Sequence, residues 1–205
     1  LGKAKTDEPK PVKNRGQLVV QDSGKSTWIT PPVITSAARL AMGSIDLDVA
    51  SSVYANGFVG AEHIYTIADN GLAQPWFGNV WVNWPYSVTN NRKWSKRLVT
   101  AYQTGEIVQA CCIGFASTSE GWFKTLSTYP YLTLNARVPF INPDTGLPVT
   151  QPLKGSVVFY LGPNLLDFYL AYQHLGRLNI SPQAPAENIE QFFYQICPIQ
   201  RTLHP

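Results

Sequence analysis

From Ile107 to Phe115 the chain reads Ile-Val-Gln-Ala-Cys-Cys-Ile-Gly-Phe, without one charged side chain. A strand with one face in water alternates polar and apolar residues, so an uninterrupted run of this kind must be covered on both faces. Val80-Trp81-Val82, β-branched and aromatic, reads as a second buried strand. Two such strands need helices on either side, and the neighbouring segments supply them. Val33 to Met42 has helical character with proline tolerated in its first turn, and Trp94 to Tyr102 reads as another helix. Ile45–Val49 reads as a short strand with Asp48 at its end, Ala50–Asn56 as a loop or short helix, and His63–Ile67 as a possible short strand. Asp69-Asn70-Gly71 is a turn signal.

Further on, Glu120–Ser127 suits a helix or turn. Tyr131–Ile141 and Gly155–Leu161 read as strands joined by a loop rich in Pro, Gly and Asn, which favours an antiparallel pair. Leu165–His174 reads as a helix closed by Gly176. Strands alternating with helices and then a hairpin predict an α/β fold: a single domain with a mostly parallel open sheet ending in an antiparallel hairpin. Ligands of such sheets sit outside the carboxyl ends of the strands.

A chain of 205 residues suits one core. We divide it into a flexible arm at 1–16, a domain at 17–180, and an extension at 181–205 that packs back on the domain. The arm carries Lys3, Lys5, Lys10, Lys13 and Arg15 without hydrophobic period, either as a solvated tail or against nucleic-acid phosphates. A net charge of +3 permits a polyanionic partner without demanding one. Three cysteines, two of them adjacent in an apolar run, argue for buried thiols and a reducing, cytoplasmic setting. No apolar run reaches membrane-spanning length. His63, His174 and His204 are scattered, so no metal site is expected. A nucleophile elbow and a phosphate-binding glycine loop are absent from the sequence, and Glu120 and Asp167 have no evident partner for hydrolysis.

What remains is Asn83-Trp84-Pro85-Tyr86, directly after the Val80–Val82 strand. An amide there can accept and donate hydrogen bonds, a proline fixes the turn, and a tyrosine offers a flat face. That set suits gripping a planar group bearing an amino nitrogen; the plainer reading is a strand leaving through a Pro-containing turn. Asp48, Asp69 and Asn70 fall near the same sheet edge. Asp48 could equally cap the turn after it, Thr30 could cap the following helix, and Asp69 and Asn70 could be turn residues alone. Arg92, Lys93, Lys96 and Arg97 follow the motif with i, i+4 spacing, as a phosphate-binding surface or an ordinary solvated face.

With these residues in place, the chain from about Trp28 to Ile180 resembles the phage-type DNA N6-adenine methyltransferases. Trp28-Ile29-Thr30-Pro31-Pro32 is similar to the Thr-Pro segment that meets the cofactor's methionine end. Ile45-Asp46-Leu47-Asp48-Val49-Ala50-Ser51-Ser52 is similar to an Asp-Leu-Asp-Pro-Ala-Ala-Ser signature beside the cofactor. Asp69-Asn70-Gly71-Leu72 with Trp76 resembles an Asp-Gly-Leu…Trp element, and Asn83-Trp84-Pro85-Tyr86 falls where the family has Asn-Pro-Pro-Tyr. The resemblance implies a Rossmann-like methyltransferase fold, S-adenosylmethionine as cofactor and DNA as partner. It implies cofactor contacts from Trp28, Thr30, Pro31, Asp48, Ala50, Asp69 and Asn70. It also implies an amine-binding turn in which Asn83 Oδ1 and the Trp84 carbonyl accept the N–H bonds, Pro85 fixes the turn and Tyr86 stacks on an extruded base. The sequence departs from the family at Trp84 and Val49, where prolines stand, and at Asn70. Two other readings therefore stand beside DNA methylation: a degenerate methyltransferase fold that binds DNA or protein, and an amino-methyltransferase acting on RNA or protein glutamine.

Overall fold

The computed structural model describes residues 27–150, 154–184 and 186–196. The basic arm expected at 1–16 lies outside them. Among the described residues seven strands form one sheet in the order β2-β1-β3-β4-β6-β5-β7. They are β1 (Leu47–Asp48), β2 (His63–Ile64), β3 (Asn79–Val82), β4 (Gln109–Phe115), β5 (Tyr131–Leu134), β6 (Ser156–Leu161) and β7 (Gly176–Asn179). β2, β1, β3 and β4 pair in parallel, and β6, β5 and β7 continue the sheet antiparallel. The fold is the expected α/β open sheet with an antiparallel end.

Six helices flank it among those residues: α1 (Pro32–Met42), α2 (Val53–Val59), α3 (Val88–Gln103), α4 (Gly121–Leu126), α5 (Leu165–Tyr172) and α6 (Ala186–Ile196). The uncharged β4 is covered on both sides, as its composition requires. Cys111 and Ile113 face a core built with α1 and α5; Ala110 and Cys112 face a second core built with α3 and α4. Both cysteines are buried free thiols, held protonated chiefly by that burial.

Four expectations change. The helix predicted from Trp94 starts at Val88, because the Ser87 hydroxyl accepts from the Asn90 N–H and caps it. The strand predicted over Tyr131–Ile141 stops at Leu134; Ile141 instead bridges Ile29 and Pro148. The helix predicted to His174 ends at Tyr172, and Gly176 opens β7 instead of closing a helix. A Cβ at Gly176 would sit 2.3 Å from the Thr133 carbonyl oxygen, so only glycine lets β7 lie against β5. The stretch from 181 contains α6, which packs on α5 through Phe192 against Tyr169.

Candidate active site

The chain runs from β1 outward to β2 and then crosses back to β3 on β1's other side. The gap between β1 and β3 is thus a topological switch point, the place where open α/β sheets bind ligands. Asp48 closes β1 and Asn83 follows β3 directly.

Strand alternation decides which way these side chains face. Leu47 and Val49 belong to the core beneath α3, while Asp48 pairs in register with Trp81, which belongs to the core beneath α1. Asp48 and Asn83 therefore both turn to the α1 side. Asn83 Nδ2 donates to the Trp28 carbonyl at 2.8 Å and to Thr30 Oγ1 at 3.0 Å, which fixes the amide's orientation. Its Oδ1 is buried and has no hydrogen-bond partner. An unsatisfied buried acceptor costs stability, and active sites are where such a cost is tolerated.

Thr30 thus anchors Asn83 and does not cap α1, whose first residues lack a side-chain cap; Pro31 holds the capping position with extended backbone. Ile29 exchanges backbone hydrogen bonds with Ile141, tying this segment to the hairpin that covers the α1 side of the edge.

Asp48 is 3 % exposed. Desolvation lifts its carboxyl to about 6, against weaker opposing hydrogen bonds from Ser51 and the Ala50 N–H. The bond to Ala50 N–H, 3.2 Å, is a turn cap, so that plainer role is present as well. The turn predicted at Asp69-Asn70-Gly71 lies against the end of β1: a Cβ on Gly71 would meet the Val49 carbonyl at 2.0 Å. Asp69 Oδ2 accepts from the N–H and hydroxyl of Thr66, which holds its carboxyl below the usual range, while Asn70 is exposed with a left-handed φ of 55°. The structure thus gathers Trp28, Thr30, Pro31, Asp48, Ala50, Asp69, Asn70 and Asn83 around one sheet edge.

Trp84 keeps only its backbone for the site, and the expected roles of Tyr86 and Arg97 change. Trp84 alternates to the opposite side from Asn83; its indole is buried against Trp122 and Tyr86, with Nε1 donating to Asn91 Oδ1. It fills the α3–α4 layer and does not enter the Asn83 side. Tyr86 offers no exposed stacking face: its ring is 5 % exposed, lies 4.4 Å from Phe115, and its hydroxyl donates to the Ile113 carbonyl. Arg97 is engaged within the fold: it forms a two-pronged ion pair with Glu106 at 2.6 and 2.7 Å and lies over Trp76. Arg92, Lys93 and Lys96 remain exposed on α3.

Asn90 and Asn91 escaped the sequence reading. Asn90 Nδ2 donates to the Pro85 carbonyl and Asn91 receives the indole, so the first turn of α3 braces the Asn83–Tyr86 turn from behind. The signal was available: Ser87, three residues before Asn90, marks a helix start directly after the motif.

No group of three or more His, Cys, Asp or Glu that could hold a metal occurs among the described residues, and no helix there is long and apolar enough to cross a membrane. The sequence model of the DNA N-6-adenine-methyltransferase (Dam) family matches residues 17–170, a span containing every site residue above. No curated protein matches the chain.

Proposed function

The chain belongs to the DNA N-6-adenine-methyltransferase (Dam) family, and we propose that it transfers the methyl group of S-adenosylmethionine to the N6 amine of adenine in DNA. The observation that carries this reading is the Asn83 carboxamide: locked through its nitrogen, with its oxygen buried and unpartnered at a topological switch point. An exocyclic adenine amine has its lone pair delocalised into the ring. Asn83 Oδ1 and the Trp84 carbonyl each accept one N–H bond and turn that lone pair out of the ring plane. When bound, the cofactor supplies an electrophilic methyl on a sulfonium. Transfer of that methyl to the N6 lone pair held by Asn83 and Trp84 would leave the donor as a thioether and release the displaced proton to water. Most of the acceleration comes from holding amine and methyl in line.

Asp48 fits the cofactor by its chemistry. A buried carboxyl whose charge is penalised by desolvation gains from a neighbouring cation, and the cofactor carries both an ammonium and a sulfonium. Thr30, Pro31 and the Asp69-Asn70 turn flank it, with Asn70 free to meet the ribose or adenine end. The degenerate-fold alternative draws on Trp84 and on the lack of glycines in Ala50–Ser52; the burial of the indole on the other side of the sheet speaks against the first of these grounds and leaves the second to the assay.

The test is transfer of tritiated methyl to DNA, followed by digestion and identification of the labelled nucleoside. N6-methyl-2′-deoxyadenosine is expected. Asn83→Ala should lower kcat at least about a thousandfold while cofactor affinity stays within about threefold. Label recovered in RNA or as methylglutamine, or an active Asn83→Ala, would overturn the assignment.

A further inference from the structure

If an adenine is seated at Asn83, something must hold the rest of its nucleotide, and Tyr86 offers no exposed face to it. Sheet geometry identifies another group. β6 runs antiparallel to β4, so its first residues lie at the same edge as the carboxyl ends of β1, β3 and β4. Phe115 pairs with Ser156, and the alternation of both strands turns this pair to the α1 side, as it turns Asn83. Carried one residue on, the β3–β4 register sets Asn83 beside Ile113, one alternation short of Phe115. Strand spacing and rise put the two backbones roughly 8 Å apart, close to the reach of one purine.

Phe115 is half-buried and touches both cores. One face lies on Tyr86, and the ammonium of exposed Lys154 stands 4.9 Å from its ring centroid. Ser156, its register partner, has a hydroxyl that is buried and without a hydrogen-bond partner. Among the described residues the only two such orphaned side-chain atoms are Asn83 Oδ1 and Ser156 Oγ, and both belong to this edge.

We propose that Phe115, Lys154 and Ser156 form the nucleotide subsite of this edge, taking a purine nucleotide extruded from DNA. The purine lies on Phe115, which is backed by Tyr86. Lys154 leaves the ring for the nucleotide's phosphate, and the Ser156 hydroxyl meets the sugar–phosphate end. The ring keeps the ammonium waiting at the site, since a cation over an aromatic face is held weakly and released without a large barrier. The proposal rests on the DNA-methylation reading but is read out by DNA binding, so the two fail separately.

The experiment uses a duplex carrying 2-aminopurine at the target adenine, with affinity measured across a salt series. Lys154→Ala, an exposed change that leaves the core intact, should lower the slope of log affinity against log salt by about one. Phe115→Ala should weaken binding about tenfold and alter the 2-aminopurine fluorescence change on binding, with Phe115→Tyr restoring both. Melting temperature with S-adenosylhomocysteine checks that each variant is folded. An unchanged salt slope in Lys154→Ala, or wild-type fluorescence in a folded Phe115→Ala, overturns the subsite even if methylation is intact. Wild-type protein that binds DNA and never methylates it sinks the parent reading, and the slope and fluorescence still judge the subsite. Wild-type protein that does not bind DNA ends both.

Discussion

At the scale of single residues, Trp84 carries the main lesson. Replacement of a motif proline by a bulky indole beside the Asn83 amide suggests a blocked pocket, and only strand parity answers it. Val80, Val82 and Trp84 share one side, Trp81 and Asn83 the other. That parity was hidden because Val80-Trp81-Val82 is apolar on both faces, so the sequence holds no alternation from which to count. Asn83 and Asp48, by contrast, were legible, since polar groups at the ends of apolar strands stand out. The indole's role makes a prediction opposite to the one that motif matching suggests. Trp84→Pro restores the family pattern, yet it empties an aromatic site among Trp122, Tyr86 and Asn91. It should destabilise the protein by about 3 kcal/mol or more and give no gain in kcat. Denaturant unfolding with a parallel methylation assay checks both; a stable, faster Trp84→Pro would mean the indole does obstruct the site.

At the scale of elements, the cations of α3 divide between an exposed set, Arg92, Lys93 and Lys96, and the scaffold residue Arg97. The four cations of the helix's first three turns look equivalent in sequence, because i, i+4 spacing says which residues share a helical surface and not what that surface meets. Glu106, beyond the helix end, returns to take Arg97 and also accepts from the Trp76 N–H, and this pairing holds its carboxyl below the usual range. The Arg97–Glu106 pair thus staples α3 to the segment before β3. Arg97→Ala should cost about 1–2 kcal/mol in unfolding free energy and leave the salt dependence of DNA binding unchanged. Arg97→Lys should not recover the loss, because an ammonium lacks the two-pronged fork. Lys93→Ala and Lys96→Ala should each lower the salt slope by about one with little change in stability. Equal effects on the slope from all three positions would return Arg97 to the DNA surface. β7 and α6 illustrate a different limit. Gly-Arg-Leu-Asn has no strand propensity of its own and becomes a strand through β5, so no local pattern announces it.

At the scale of the whole molecule, the proposed function predicts that stability and cofactor binding are opposed through Asp48. Unfolded, this carboxyl titrates near 3.8; folded, it titrates at about 6. The folded state holds the proton more tightly, so stability is greatest below the unfolded value, falls as pH rises between the two, and stays reduced above 6. A difference of this size amounts to about 3 kcal/mol, an upper figure that relaxation around the carboxylate will lessen. Removing the charge should remove the penalty: Asp48→Asn is expected to melt up to about 10 °C above wild type at pH 8, with the gap closing towards pH 4. Cofactor binding should run the other way. A cation seated beside Asp48 selects the ionised form, so wild-type affinity for S-adenosylmethionine should weaken as pH falls through 6, approaching tenfold per pH unit below it. In Asp48→Asn the affinity should be at least about tenfold weaker at pH 8 and nearly flat with pH. Calorimetric titrations at pH 5, 6 and 8 beside melting curves at pH 4 and 8 read both halves together. A variant that gains stability and keeps wild-type affinity would leave Asp48 as a turn cap alone; one that loses affinity without gaining stability would place the carboxylate at the cofactor but deny the burial cost. Only the opposed pair of changes fits a sheet edge that keeps a costly buried acid because its ligand is a cation.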